Sequence, residues 1–184
     1  IEYCRNHQFG VMVTPFDEIS VEKACEHKVD YLKIASCSFG DWPLIEKISE
    51  YGKKVVASCA GADLQTIDNV VSYFLNRKIS FRLQHCVGEY PTKNKDLNVN
   101  QVLLLKKKYP NLDIGFSSHE NPEMTSIAPL ALALGATSFE KHVAVETSEI
   151  NKNAYSTSPD QFEKWLRSLY EADEIPVSYT HLRA

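Results

Sequence analysis

No apolar run in this sequence approaches the roughly 20 residues that a membrane-spanning helix requires. The longest, Ile127 to Gly135, is less than half of that, and the opening IEYCRNHQ has no apolar signal-peptide core. Cysteine never occurs as a C-x-x-C pair. Cys4, Cys25, Cys37, Cys59 and Cys86 are odd in number and scattered, which excludes a disulfide framework or a zinc knuckle and fits reduced thiols. Basic stretches are missing as well. With 20 Lys+Arg against 24 Asp+Glu, a net charge of −4 and no basic stripe, a nucleic-acid surface is excluded, because phosphate binding needs clustered cations. The expectation is a cytoplasmic protein with neither membrane nor nucleic acid as partner.

The 184 residues are 43% hydrophobic and 24% charged, enough for one sizeable core. Both ends are unlike those of a native chain. The chain opens at Ile1 without Met, and EIPVSYTHLRA closes it with neither helical period nor stop signal. Val177–Ala184 resembles translated adapter read-through, so 1–176 is taken as a partial barrel domain and 177–184 as a non-native tail.

Short β-rich runs alternate with amphipathic segments throughout. The strand candidates are Phe9–Thr14, Tyr31–Ala35, Lys54–Ser58, Phe81–Cys86, Asp113–Ser117 and Thr137–Lys141, with starts 22, 23, 27, 32 and 24 residues apart. Between and after them, Ile19–His27, Trp42–Tyr51, Leu64–Asn76, Asn98–Lys108, Met124–Leu134 and Pro159–Tyr170 carry apolar residues at helical spacing. Such alternation predicts parallel strands with crossover helices. Neither G-x-G-x-x-G nor G-x-x-x-x-G-K-[ST] follows the first strand, so nucleotide-binding open sheets lose support. A (β/α)8 TIM barrel takes about 250 residues, so this length predicts an α/β barrel with about six of its eight units present.

Chemistry in such barrels gathers at the carboxyl ends of the strands. Those ends read Thr14-Pro15-Phe16-Asp17, Lys33 followed by Ser36-Cys37-Ser38, Ser58-Cys59-Ala60-Gly61, His85-Cys86 running to Glu89-Tyr90-Pro91, Ser117-Ser118-His119-Glu120 and Glu140-Lys141-His142. Small hydroxyls beside a lysine suit a phosphate or carboxylate: donors without bulk and one point charge. Lys33 interrupts an apolar strand, so its ammonium must point either to the lumen or among the helices, and a functional role in the lumen is the favoured expectation. His85, His119 and His142 are expected to converge as ligands of an ion such as Mn²⁺, Zn²⁺ or Fe²⁺. His7, His27 and His181 have no such setting. Cys37, Cys59 and Cys86 approach the mouth without a visibly paired base and are expected to be small buried residues.

In order and spacing, VTPFD, YLKIAS, VVAS, LQHCVGEYPT, IGFSSH and FEKH resemble the N-acetylneuraminate (sialic acid) synthase family, over Phe9 to Leu169. The resemblance implies an enzyme that condenses phosphoenolpyruvate with an N-acylated amino sugar, N-acetylmannosamine-like, to a sialic-acid-type nonulosonic acid plus phosphate. It implies Lys33, Ser36, Ser58 and Ser117 as the phosphoenolpyruvate-binding set, and His119 and His142 as ligands of a divalent metal, Mn²⁺ with Mg²⁺ or Co²⁺ as alternatives. Lys33, His85 and Tyr90 are then the catalytic candidates, with Tyr90, Asn151 and Asn153 on the sugar side. It also implies a homodimer at full length.

Several positions depart from the family pattern. Ser38 stands where the family has an acidic residue, Gly88 where larger polar side chains are usual, and Asn151, Lys152 and Asn153 where a Gly-Pro-Asp loop is common. The 184 residues hold no counterpart of the family's first two strands, with their catalytic glutamate and second phosphate-binding lysine, or of its small C-terminal domain. The expectation is that this chain alone is inactive. The alternatives are a 3-deoxy-ulosonic acid phosphate synthase of the same superfamily and a non-catalytic sugar-phosphate-binding barrel, against which both retained histidines argue. A metal-dependent barrel hydrolase is disfavoured by the lack of H-x-H on the first strand.

Overall fold

The computed structural model describes residues 1–175. The expected tail, 177–184, lies outside them. After a short helix α1 (Glu2–Asn6) come β1 (Met12–Val13), α2 (Glu18–Glu26), β2 (Tyr31–Ile34), α3 (Trp42–Glu50), β3 (Lys54–Ser58), α4 (Leu64–Asn76), β4 (Phe81–Cys86), α5 (Asn100–Lys108), β5 (Asp113–Ser118), α6 (Ile127–Ala133), β6 (Ser138–Lys141) and α7 (Pro159–Glu174). All six strands pair in parallel in sequence order, β1 to β6, a six-strand half-barrel.

Local chemistry starts the helices where the sequence signals them. The carboxylates of Asp17, Asp41 and Asp63 accept from the backbone N–H groups of Ser20, Leu44 and Thr66, and Ser158 with Gln161 forms a reciprocal capping box before Pro159. These contacts hold the Asp17 and Asp63 carboxyls below the usual carboxylate range. The helix expected from Met124 begins at Ile127 instead, because Asn121 turns the chain by accepting from Glu123 N and Met124 N. Helix α5 starts at Asn100 because Asn98 takes a left-handed φ of 48°. The short α1 was not legible in the sequence; Arg5 ties it down by donating to the carbonyls of His27 and Lys28.

Strand alternation sorts the side chains into two faces. Leu32, Ile34, Val55, Ala57, Leu83, Ile114 and Phe116 face outward into the core, against Val21, Leu44, Ile48, Val70, Phe74 and Val102 of the helices. The inward set, Lys33, Ser58, Gln84, Ser117 and Glu140, is polar and hydrogen-bonded across the lumen. A bond from β2 to β6 requires the sheet to be curled.

Gly115 sits in the inward row of β5 because nothing larger fits. A Cβ there would meet Gln84 Cγ at 2.9 Å and the Ser138 carbonyl at 3.0 Å, and would collide with Ser138 Oγ. Gly115→Ala is therefore expected to destabilise the fold by about 1–3 kcal/mol, lowering the melting temperature by roughly 2–12 °C. An unchanged melting temperature would show that β5 and β6 are not packed as described.

Candidate functional site

The lumen floor is built around one buried cation. Lys33, 6% exposed, donates from Nζ to Ser58 Oγ at 2.8 Å and forms an ion pair with both oxygens of Glu140 at 3.1 and 2.9 Å. Ser58 Oγ donates to Gln84 Oε1 at 3.1 Å, and Ser117 Oγ to Glu140 Oε1 at 3.2 Å. Strands β2, β3, β4, β5 and β6 thus each place one polar side chain in a single network. Ser36, in the turn that follows β2, stands higher: its Oγ accepts from Ala60 N at 3.2 Å. An ammonium with three hydroxyls is a donor set for a phosphate or carboxylate, and Glu140 is the group such an anion would displace.

Above this floor, His119 and His142 stand 5.1 Å apart between ring centroids, within reach of one ion at about 2.1 Å per bond. The Val87 carbonyl can only accept, so its 3.2 Å contact makes His119 Nδ1 the donor and leaves Nε2 with its lone pair. Burial depresses the pKa of both imidazoles below the ordinary 6.5, with the Val87 contact opposing it at His119 and Glu140 at His142. Neutral rings and a fixed tautomer fit a divalent cation. The described residues gather no third protein ligand, so water and substrate would complete the set.

The expectation of three converging histidines is corrected to two. His85 lies on the outward row of β4: it is buried, is stacked on Phe116 at 5.9 Å, and has Nε2 2.9 Å from the Leu97 carbonyl. It lines a cavity of about 740 Å³ with residues of α4 and α5, on the opposite face of the sheet from His119 and His142. Its inward neighbours are Gln84 and Cys86. Burial pushes the thiol of Cys86 up and that of Cys59 up to about 12, which disfavours the thiolate at both, and Cys37 is exposed rather than buried.

Tyr90 comes as expected to the mouth, half exposed, with its ring 4.1 Å from that of His119. Burial raises its phenol pKa, so it remains a hydrogen-bond donor. Tyr155, which the sequence did not single out, completes an aromatic wall at 5.1 Å from Tyr90, 5.2 Å from His142 and 6.0 Å from His119. Asn153 shapes this loop, its Oδ1 accepting from Tyr155 N and Ser156 N, while Thr157 donates through N and Oγ1 to the His142 carbonyl. Asn151 is exposed in the same loop. Gln84 and Tyr155 are the site residues missed by sequence reasoning, which named Glu140 at its strand end without giving it a role. Glu140 was readable, since it lies two residues from His142 on the same face, and Gln84 stands likewise two residues from Cys86.

A protein-family model of the NeuB family matches residues 1–177. The chain belongs to the NeuB family. Among its NeuB-family relatives, N-acetylneuraminate-9-phosphate synthase of Drosophila melanogaster is 30% identical over 148 residues, covering 80% of this chain and 39% of that protein. A crystal structure ascribed to spore coat polysaccharide biosynthesis protein E of Chromobacterium violaceum superposes with a TM-score of 0.93 at 40% identity, over 99% of this chain and 56% of that one. N-acetylneuraminic acid (sialic acid) synthetase of Leptospira borgpetersenii, in complex with citrate, superposes with a TM-score of 0.87 at 31% identity, over 95% and 60% of the two chains. The chain spans about half the length of the curated relatives it matches.

The depressed imidazoles set a pH dependence. Because folding favours neutral His85, His119 and His142, the folded chain binds fewer protons than the unfolded one below about 6.5. Stability from this source is complete above 6.5 and falls as the pH drops toward the folded-state values. The metal-free melting temperature is expected to decrease between pH 7.5 and 5.5. A melting temperature that holds or rises over that interval contradicts the neutral, buried assignment.

Proposed function

We propose that this half-barrel carries the phosphoenolpyruvate and metal subsites of a synthase that joins phosphoenolpyruvate to an N-acylated, N-acetylmannosamine-like amino sugar. The product is a sialic-acid-type nonulosonic acid plus inorganic phosphate. The observation that carries the reading is the lumen network of Lys33, Ser58, Ser117 and Glu140 lying directly beneath the His119–His142 pair. A phosphate floor below a metal rim is the arrangement that a two-substrate condensation of this kind needs.

Each residue then has a task. Lys33, Ser58 and Ser117 bind the phosphate and carboxylate, with Ser36 closing the site from the rim. His119 and His142 hold the divalent cation, Mn²⁺ with Mg²⁺ or Co²⁺ as alternatives. When bound, the cation supplies Lewis-acid polarisation of the acceptor's aldehyde oxygen. The Tyr90 phenol and Tyr155 wall the acceptor side, with Asn151 and Asn153 on the loop that frames it. In the reaction, carbon 3 of phosphoenolpyruvate bonds to the aldehyde carbon, water adds at carbon 2, and phosphate leaves with C–O cleavage. His85 has no part in this proposal, since it faces away from the lumen.

The proposal includes a cytoplasmic homodimer at the relatives' full length, with the 184-residue chain binding ligands but not turning over. No helix among the described residues is long and apolar enough to cross a membrane. A non-catalytic sugar-phosphate binder would use the same floor but has no need of paired neutral imidazoles at its rim.

Three measurements test the reading. Titration of the chain with Mn²⁺ should show one site, and His119→Ala should weaken it by more than the roughly 10–100-fold that loss of an outer-shell partner costs. Lys33→Met should weaken phosphoenolpyruvate binding by about 10–100-fold, the worth of a charge-assisted contact, and leave the Mn²⁺ site occupied. In a chain extended to the relatives' length, phosphate release should depend on phosphoenolpyruvate, an N-acylated amino sugar and His119 together. Release by His119→Ala equal to that of the parent would contradict the proposal.

A further inference from the structure

On the outward side of the same strand ends lies an ion pair that none of the roles above uses. Lys141 Nζ stands 2.9 Å from Glu120 Oε1, and both side chains are completely excluded from solvent. Among the described residues neither group has a hydrogen-bond partner, and the Ser118 hydroxyl, which shares the outward face, has none either. Removing two charges from water is costly, and pairs of this kind are commonly replaced by apolar residues with no loss of stability. Stability alone therefore gives no reason for the pair.

Its position gives one. The β5–β6 ladder ends at Ser118 opposite Lys141, so strand pairing no longer sets the spacing of the residues beyond it. Alternation makes Glu120 the outward neighbour of inward His119, and Lys141 the outward neighbour of inward His142. The backbones of both histidines are also tied, His119 O accepting from Thr92 N at 2.9 Å and His142 O from Thr157 N at 2.8 Å.

We infer that Glu120 and Lys141 are positioning residues: their buried ion pair extends the β5–β6 register past the last ladder bond and sets the spacing of His119 and His142. The inference rests on the reading of those two histidines as metal ligands. It gives the outward face of the strand ends a role in metal affinity although neither side chain reaches the ion.

The test measures two quantities on the full chain: the melting temperature without metal, and the Mn²⁺ dissociation constant from the paramagnetic resonance signal of the free ion. Glu120→Gln alone strands a buried ammonium and is expected to cost fold stability, so the informative variants change both residues. Glu120→Leu with Lys141→Met should keep the metal-free melting temperature to within a few degrees and weaken Mn²⁺ by about tenfold or more. The exchanged pair, Glu120→Lys with Lys141→Glu, should recover most of that affinity. Undiminished Mn²⁺ binding by the uncharged pair overturns the inference, as does an exchanged pair that binds no tighter than the uncharged one. An uncharged pair that loses its fold also overturns it, by assigning the ion pair to stability. Wild-type chain that binds no Mn²⁺ overturns the metal reading itself, and the inference with it, an outcome distinct from the other three.

Discussion

The ammonium of Lys33 is the group on which the rest of the lumen depends. A lysine placed within an apolar strand must find compensation for its lost hydration. It finds it in Ser58 one strand away and in Glu140 four strands away. That second contact can form only when the parallel sheet curls, so the inward polar row and the curvature support one another. Gly115 is the concession that makes the curl possible, leaving room for Gln84 and Ser138.

The same ion pair makes the floor ready for an anion. With its solvent already removed, Lys33 can exchange one oxygen acceptor for another without a large rearrangement; Ser117 already donates to the Glu140 oxygen to be exchanged, and Ser58 stands beside the ammonium. The rim proposed to hold the metal is set differently. There the imidazoles are kept neutral by burial and His119 is oriented by the Val87 carbonyl, so the site is electrically quiet until a cation enters. An ion-paired floor and a rim of neutral imidazoles together separate the place proposed for an anion from the place proposed for a metal within a few residues of chain.

Much of this was legible in the sequence. The six strands appear where short β-branched runs alternate with capped amphipathic segments, because strand and helix periods differ and the caps are local. Lys33, Ser58, Ser117, His119 and His142 were readable as polar residues at strand ends. His85 was misplaced because alignment by strand end ignores the two-residue alternation: it is level with Phe116 on the outward row, whereas Gln84 is level with Gly115 on the inward one. Tyr155 could not be found by pattern, since it arrives through a long loop whose shape depends on Asn153 and on Thr157 capturing the His142 carbonyl. Glu120 and Lys141 were invisible as a pair because only the register of β5 on β6 brings them together.

The most direct test of the account is a crystal structure of the chain grown with Mn²⁺ and phosphoenolpyruvate, with anomalous scattering used to locate the metal. The account predicts a manganese peak between His119 and His142, and the phosphate seated on Lys33, Ser58 and Ser117 with Glu140 displaced. Manganese away from the two histidines, or phosphoenolpyruvate in the outer cavity beside His85 with the Lys33–Glu140 pair intact, would contradict it.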